Sequence, residues 1–410
     1  MNKPTLFGYG VTTKAIAKKL GGGCKIFDDN TDKTYLDKDN NQIIPSSLFD
    51  ENNSDLEVVT PSFKPSNPLT KKAKNIISDY DYFLSNKKVA KNRVKNKPFT
   101  IWISGTNGKT TTTQMLTLLL EEKGAINGGN IGTPLAELDF NAPIWILETS
   151  SFTLHHTKEA SPNIYILLPI TPDHLDWHGG EREYQEDKLR PLLTMREGEM
   201  ALVPKGLNLP LTDAFIVEYD SSEFLADYFD IDISKVNFKS AFLEDALLAL
   251  GVTKALFDEV DYDKINSFKL DAHRQELIYD SQKREWINDS KATNIDATLK
   301  ALETFNDRYI HLIIGGVDKG VDLNELFLEF QKIDITIYTI GRNSDRLIEL
   351  AQKYNIKAIK CDYLDKAVEN IDKILDKDSI GLLSPASASF DQFKSYKDRG
   401  DKFKRYVYNI

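Results

Sequence analysis

The sequence predicts an α/β protein in three domains, residues 1–97, 98–270 and 271–410. Three observations carry this. The last part alternates strand-like and helix-like segments at a spacing that suits a doubly wound α/β domain. The middle part holds short apolar runs bounded by turn signals, the texture of parallel strands buried on both faces. The first part carries short strand-like pieces around one helix. At roughly 100–200 residues per domain, a chain of 410 residues suits such a division.

The elements follow in order. In the first part TLFGYG, CKIF and LEVVT read as strands, with a helix over about Thr12–Leu20. SFKPSNPLTKKAKN reads as loop, and the basic run KKVAKNRVKNKPF as a linker. The middle part opens with the buried strand FTIWISG and a helix over about Thr110–Lys123. PIWILET and NIYILLPI are further strands, and SAFLEDALLALG is a helix stopping at Gly251, since glycine is a common helix terminator. In the last part YIHLIIGG, DITIYTIG, KAIKC and SIGLLSP are strands. LNELFLEFQK, SDRLIELAQKY and LDKAVENIDKIL are the helices between them.

Composition excludes several classes. Hydrophobic residues make up 41% and charged residues 28%, a globular balance. A net charge of −10 is a poor match for nucleic acid, although a local loop can still grip phosphate. Cys24 and Cys361 are far apart and form no CxxC pair, so neither a disulfide framework nor a cysteine-based zinc site is expected, and a reducing cytoplasm fits. No stretch approaches 18 apolar residues and no apolar leader follows Met1, so neither a membrane span nor a signal peptide is expected.

In open α/β sheets ligands bind beyond the C-terminal strand ends. The unusual residues lie there. Gly105-Thr106-Asn107-Gly108-Lys109-Thr110 joins a strand to a helix. Its glycines permit close backbone approach, the helix start favours an anion, Lys109 reaches terminal phosphates and Thr110 offers a hydroxyl to Mg²⁺. The usual phosphate loop has a glycine where Ile103 stands. Glu148 leaves a strand, where a carboxylate holds Mg²⁺ or orients water. His174 and Asp176 follow another strand; a lone histidine is more often structural. His155, His156 and His178 read as surface or packing residues. Lys188, on a helix among acids, reads by itself as a solvated face. Asp289 and Lys291, before a helix starting near Thr293 or Asn294, suit ribose and phosphate or simply a capped turn. Gly315, Gly316 and Lys319 form another anion-friendly end. Ser387 and Ser389 either cap a helix or hold a carboxylate.

Eight segments, in order from Phe99 to Gly400, resemble the Mur ligase family: SGTNGKTTT, GGNIGTPL, ETSSF, PDHLDWHG, DKLR, HRQE, NDSKATN and SPASASFDQFKSYKDRG. In that family isoleucine at the Ile103 place is ordinary. The resemblance implies a Rossmann-like N-terminal domain, a P-loop-type central ATPase domain with a mainly parallel sheet, and a Rossmann-like C-terminal domain. It implies an ATP-dependent amino-acid ligase with two Mg²⁺ sites. WINDSKATN with SPASASFDQF looks most like the branch that joins D-glutamate to UDP-MurNAc-L-Ala (UDP-N-acetylmuramoyl-L-alanine); another amino-acid ligase of the family, or one of folylpolyglutamate type, is the alternative. A cytoplasmic monomer without nucleic-acid or membrane partners is expected.

The resemblance also assigns roles. Gly105, Thr106, Asn107, Gly108, Lys109, Thr110 and Thr111 would bind ATP, with Arg274, Asp289 and Lys291 from the last domain. Thr110, Glu148, His174 and a carbamylated Lys188 would hold metal, which reverses the solvated-face reading of Lys188. Asn130 and His174 would touch the UDP-sugar. Thr293, Lys319, Ser389 and Tyr396 look like the D-glutamate site. Tyr396 stands where the family often has Phe, and Asp245 lies near the family's adenine segment without its HNxxN pattern. Domain closure is expected on binding.

Overall fold

The computed structural model describes residues 3–85, 97–317 and 321–410. The expected linker falls largely on residues 86–96, and Lys319 on 318–320, outside the described residues.

The described strands form three six-stranded sheets. The first contains β1 (Thr5–Phe7), β2 (Lys25–Asp28), β3 (Tyr35–Leu36), β4 (Gln42–Pro45), β5 (Glu57–Val59) and β6 (Ile76–Ile77), in the order β3-β4-β2-β1-β5-β6. Only β3 runs antiparallel. The second contains β7 (Phe99–Ser104), β8 (Ala125–Gly129), β9 (Ile144–Glu148), β10 (Ile164–Leu167), β11 (Met200–Pro204) and β12 (Phe215–Tyr219). It is parallel throughout, in the order β12-β11-β10-β7-β9-β8. The third contains β13 (Glu276–Tyr279), β14 (Glu285–Asn288), β15 (Tyr309–Gly315), β16 (Ile335–Ile340), β17 (Ala358–Asp362) and β18 (Ser379–Leu383). Its order is β13-β14-β18-β15-β16-β17, antiparallel only at β13.

The burial pattern explains the missing alternation in these strands. In β7, Trp102 enters a core shared with Leu6, Ile26, Val58 and Trp145, so the first two sheets pack on common material. Its neighbours Ile101 and Ile103 enter a core on the opposite face with Leu116, Leu247 and Leu250. In β15, Leu312 and Ile314 face one core and Ile313 another. A strand covered on both faces has no polar side to show. Packing divides the chain into two compact units: Met1–Phe238 with Phe242–Phe268, and Lys239–Ala241 with Lys269–Ile410.

Three expectations need correction, and one strand was missed. The helix beginning at Ser240 does not stop at Gly251 but runs to Phe257. Gly251 is there for space: a Cβ would meet the Phe229 ring at 2.7 Å. The segment read as loop before Asn75 contains a short helix, Pro68–Lys72, capped by the Asn67 side chain on the Leu69 amide. Neither Ser387 nor Ser389 caps the last helix, Tyr396–Tyr408; Ser395 does, accepting from the Asp398 amide. β8 went unread because glycines are poor strand formers. A Cβ on Gly128 would lie 2.9 Å from Leu138 and from the Thr133 carbonyl oxygen, so this strand is chosen for close approach.

Candidate active site

The second sheet creates the site. After β7 the chain builds β8 and β9 on one side and then crosses to β10 on the other. Ser104 pairs with Leu167 and Ile103 with Glu148, so three strand ends diverge beside the loop after Ser104. That loop turns through Gly105 (φ 132°) and Gly108 (φ 82°) into the helix Lys109–Leu120. Both angles are costly with a side chain. A Cβ on Gly105 would also lie 2.4 Å from Leu168. The residue before the helix, Gly108, has no side chain to cap its first amides, and such a helix start favours an anion. Thr110 is half-buried in the first turn, and Thr111 is buried with its hydroxyl unpartnered.

Asp245 stands against this loop. It is buried, accepts the Thr112 hydroxyl at 2.7 Å, and would lie 2.5 Å from a Cβ on Gly108.

Glu148 is buried at the end of β9. Its Oε1 accepts from Asn130 Nδ2 at 2.6 Å, and the Asn130 amide donates to the Glu148 carbonyl oxygen at 2.8 Å. Its Oε2 is buried without a hydrogen-bond partner. An open carboxylate oxygen beside a phosphate loop has the chemistry of a Mg²⁺ ligand.

Lys188 corrects the solvated-face reading. It lies in the last turn of the helix Glu181–Leu189, is 2% exposed, and donates from Nζ to the Gly105 carbonyl oxygen at 2.7 Å. Tyr165 Oη donates to its carbonyl oxygen, and Tyr184 Oη meets Thr106 Oγ1 at 3.0 Å. Burial, and then the charge of Lys109, push the Lys188 ammonium well below its ordinary pKa. Lys109 itself donates to the carbonyl oxygens of Gly105 (2.9 Å) and Thr106 (2.7 Å).

The neighbouring Asp187 binds three partners. His155 Nδ1 lies 2.9 Å from its carboxylate, His178 Nδ1 2.7 Å, and Arg190 Nε 2.7 Å. Burial raises the Asp187 pKa, but the hydrogen bonds from His155 and His178 outweigh it and hold the group well below the usual carboxylate range. His178 Nε2 in turn meets Ser151 Oγ at 3.0 Å. His155 and His178 thus form one polar network beside Lys188. The sequence hid it because its members lie on three separate helices. His174 is exposed, in a left-handed conformation (φ 53°), with its ring 4.9 Å from Phe152 and its Nε2 3.6 Å from Asp173. Among the described residues no group of three or more His, Cys, Asp or Glu is placed to hold a metal ion.

The second unit holds its own polar cluster. Asp289 is buried and accepts from Ser384 Oγ (2.9 Å) and the Gln275 amide (3.3 Å). Burial pushes its carboxyl up to about 7. Arg274 Nε is buried without a partner. Lys291 Nζ lies 5.0 Å above the Tyr396 ring, so two expected site residues meet. Ser389 is buried, Thr293 half-buried just before the Asn294 cap of the helix Ile295–Phe305. Gly316 (φ 147°) would place a Cβ 2.3 Å from the Ala388 carbonyl oxygen, so the loops after β15 and β18 touch there. Arg399, within the segment SPASASFDQFKSYKDRG, is wholly buried, with hydrogen bonds to Ser290 after β14 and Ser387 after β18.

A phosphate loop on a parallel sheet, joined to a second doubly wound unit, defines an α/β nucleotide-using protein. Family models match two stretches: the Mur ligase middle domain over residues 103–208, and the Mur ligase glutamate ligase domain over residues 273–387. The chain belongs to the Mur ligase family. A Campylobacter jejuni (strain 81-176) protein named UDP-N-acetylmuramoylalanine--D-glutamate ligase is 48% identical over 100% of both chains. A Helicobacter pylori (strain HPAG1) protein of the same name is 43% identical over 99% of both. Among solved structures, MurF ligase from Thermotoga maritima in complex with ADP has a TM-score of 0.58 at 14% identity, covering 99% of each chain. That last likeness bears on the fold alone.

Proposed function

We infer that this chain is an ATP-dependent ligase that adds D-glutamate to UDP-N-acetylmuramoyl-L-alanine in peptidoglycan precursor synthesis. Full-length relatives of that name, 48% and 43% identical, support the substrates. The observation that carries the chemistry is the phosphate loop, with Lys188 Nζ on the Gly105 carbonyl oxygen and Glu148 Oε2 open beside it.

A carboxylate is a poor electrophile, so it must be activated. The substrate's alanyl carboxylate oxygen attacks the γ-phosphorus of ATP; the bond to the β-phosphate oxygen breaks and ADP leaves. The D-glutamate amine then attacks the acyl carbon of the acyl phosphate, loses a proton, and inorganic phosphate departs as the amide forms. Amides of residues 105–111 cradle the phosphates, and Lys109 exchanges the Gly105 and Thr106 carbonyls for phosphate oxygens. Thr110, Glu148, His174 and a carbamylated Lys188 would hold Mg²⁺, which when bound neutralises charge on the transferring phosphoryl group. A buried, easily neutralised lysine suits carbamylation, because only the free amine attacks CO₂. Asn130 and His174 face the UDP-sugar; Arg274, Asp289 and Lys291 serve the nucleotide; Thr293, Lys319, Ser389 and Tyr396 serve D-glutamate.

By this reading the three sheets correspond to three domains: 1–97 for the UDP-substrate, 98–270 for ATP, 271–410 for the amino acid. The enzyme works as a cytoplasmic monomer; among the described residues no helix is long and apolar enough to cross a membrane. The test is ADP release with UDP-N-acetylmuramoyl-L-alanine and each candidate amino acid. Turnover with D-glutamate is expected. Turnover with a different amino acid, and none with D-glutamate, would overturn the assignment.

A further inference from the structure

The helix Tyr396–Tyr408 carries Arg399 with none of its surface exposed. Its guanidinium is spread over two loops. Nε donates to Ser290 Oγ at 3.0 Å, Nη2 to the Ser290 carbonyl oxygen at 2.8 Å, and Nη1 to the Ser387 carbonyl oxygen at 3.1 Å. Ser290 Oγ in turn donates to the Tyr396 carbonyl oxygen at 2.8 Å. Among the described residues the hydrogen-bond acceptors of Arg399 are thus two carbonyls and a hydroxyl, and no carboxylate.

Stability alone is a weak reason for this arrangement. Removing a guanidinium from water is expensive, and an apolar side chain of similar volume often serves a buried position as well or better. What an apolar side chain cannot do is hold two backbone segments at a set separation. The planar fork of arginine does this, and lysine, whose three donors share one nitrogen, does not. The segments it joins are particular. Ser290 lies between Asp289 and Lys291, assigned above to the nucleotide. Ser387 lies two residues before Ser389, assigned above to the amino acid, and Tyr396 opens the helix that carries Arg399 itself.

We propose that Arg399 is a positioning residue that sets the spacing between the nucleotide-side loop at Asp289–Lys291 and the amino-acid-side loop at Ser387–Ser389. The inference rests on the function proposed above. It makes a joint prediction that neither loop makes alone: loosening the fork weakens ATP and amino acid together and spares the UDP-sugar.

The test compares the full-length wild type with Arg399→Lys and Ser290→Ala in the ADP-release assay, with KM for each substrate, kcat and thermal unfolding. Because small misplacements in a site are costly, Arg399→Lys is expected to raise KM for both ATP and D-glutamate by about tenfold or more, with the UDP-sugar KM within about twofold. Ser290→Ala, which deletes one of three acceptors, is expected to move the same pair by about threefold. A merely structural role would lower kcat with the folded fraction and leave every KM in place; that result overturns the proposal, as does a shift confined to one substrate. If Arg399→Lys does not fold, Ser290→Ala decides by the same criteria. If the wild type uses another amino acid and not D-glutamate, the functional reading fails while the paired shift is still measured with that amino acid.

Discussion

Lys188 Nζ and the Gly105 carbonyl oxygen are 2.7 Å apart, which ties the end of one helix to the first residue of the phosphate loop. An ammonium there shares the loop with Lys109 and is disfavoured by burial. We expect Lys188 to be carbamylated in the working enzyme. Activity should fall in CO₂-depleted buffer and return with bicarbonate, and Lys188→Met should lose about a hundredfold or more in kcat and ignore bicarbonate. Equal rates with and without bicarbonate in the wild type would sink this.

Glu148 should set the Mg²⁺ requirement. In Glu148→Gln the amide oxygen can still accept from Asn130 Nδ2, so the local fold survives. The unpartnered Oε2 becomes an NH₂ that cannot bind a cation. The Mg²⁺ concentration giving half-maximal ADP release should rise about tenfold or more. An unchanged Mg²⁺ titration would remove Glu148 from the metal site.

His156 gives a pH test with a definite sign. Its Nε2 lies 3.1 Å from the Phe63 carbonyl oxygen, and burial pulls its pKa down to about 4. The unfolded chain takes that proton near pH 6.5, the folded chain only near 4. Stability from this group is therefore complete above pH 6.5 and is lost as pH falls toward 4. His156→Gln can keep the bond without the titration. Between pH 6.5 and 5 the wild type should lose about 2 kcal/mol relative to the variant, read by urea unfolding at each pH. Parallel stability curves would contradict it.

Gly251→Ala sets two effects against each other. Alanine is favoured in a helix interior by about 1 kcal/mol. The new methyl would meet the buried Phe229 ring at 2.7 Å, and overpacking of this kind costs about 1–3 kcal/mol. Packing should win, with a net loss of about 1 kcal/mol in urea unfolding. A variant more stable than the wild type would show that the Phe229 ring moves freely.

Much of the architecture was legible because strands buried on both faces write continuous apolar runs, as FTIWISG and YIHLIIGG do. Elements whose reason is contact with something distant were not. Gly251 read as a stop because Phe229 is invisible from its position in the chain, and β8 was hidden by glycines placed for Leu138. The strand–turn–helix over Gly105 to Thr110 was legible because its two glycines and the apolar strand before it are local signals. The surroundings of Lys188 were not: Asp187, His155 and His178 gain their meaning only when three helices meet. Arg399 was unreadable for the same reason, since its partners lie about a hundred residues upstream and twelve upstream.

The order of the third sheet bears on how the protein is made. β14 sits between β13 and β18, so its second partner is translated last of the described strands. At roughly 5–20 residues per second, the ribosome needs about 5–20 s to travel from Asn288 to Ser379. During that interval β14 has only its hairpin partner, and Asp289 lacks the Leu383 carbonyl oxygen and the Ser384 hydroxyl that later anchor it. A nascent chain cut short by even its final strand would lose the middle of this sheet rather than its rim. Premature termination therefore leaves a fragment that displays an unpaired inner strand, a ready target for chaperones and proteases.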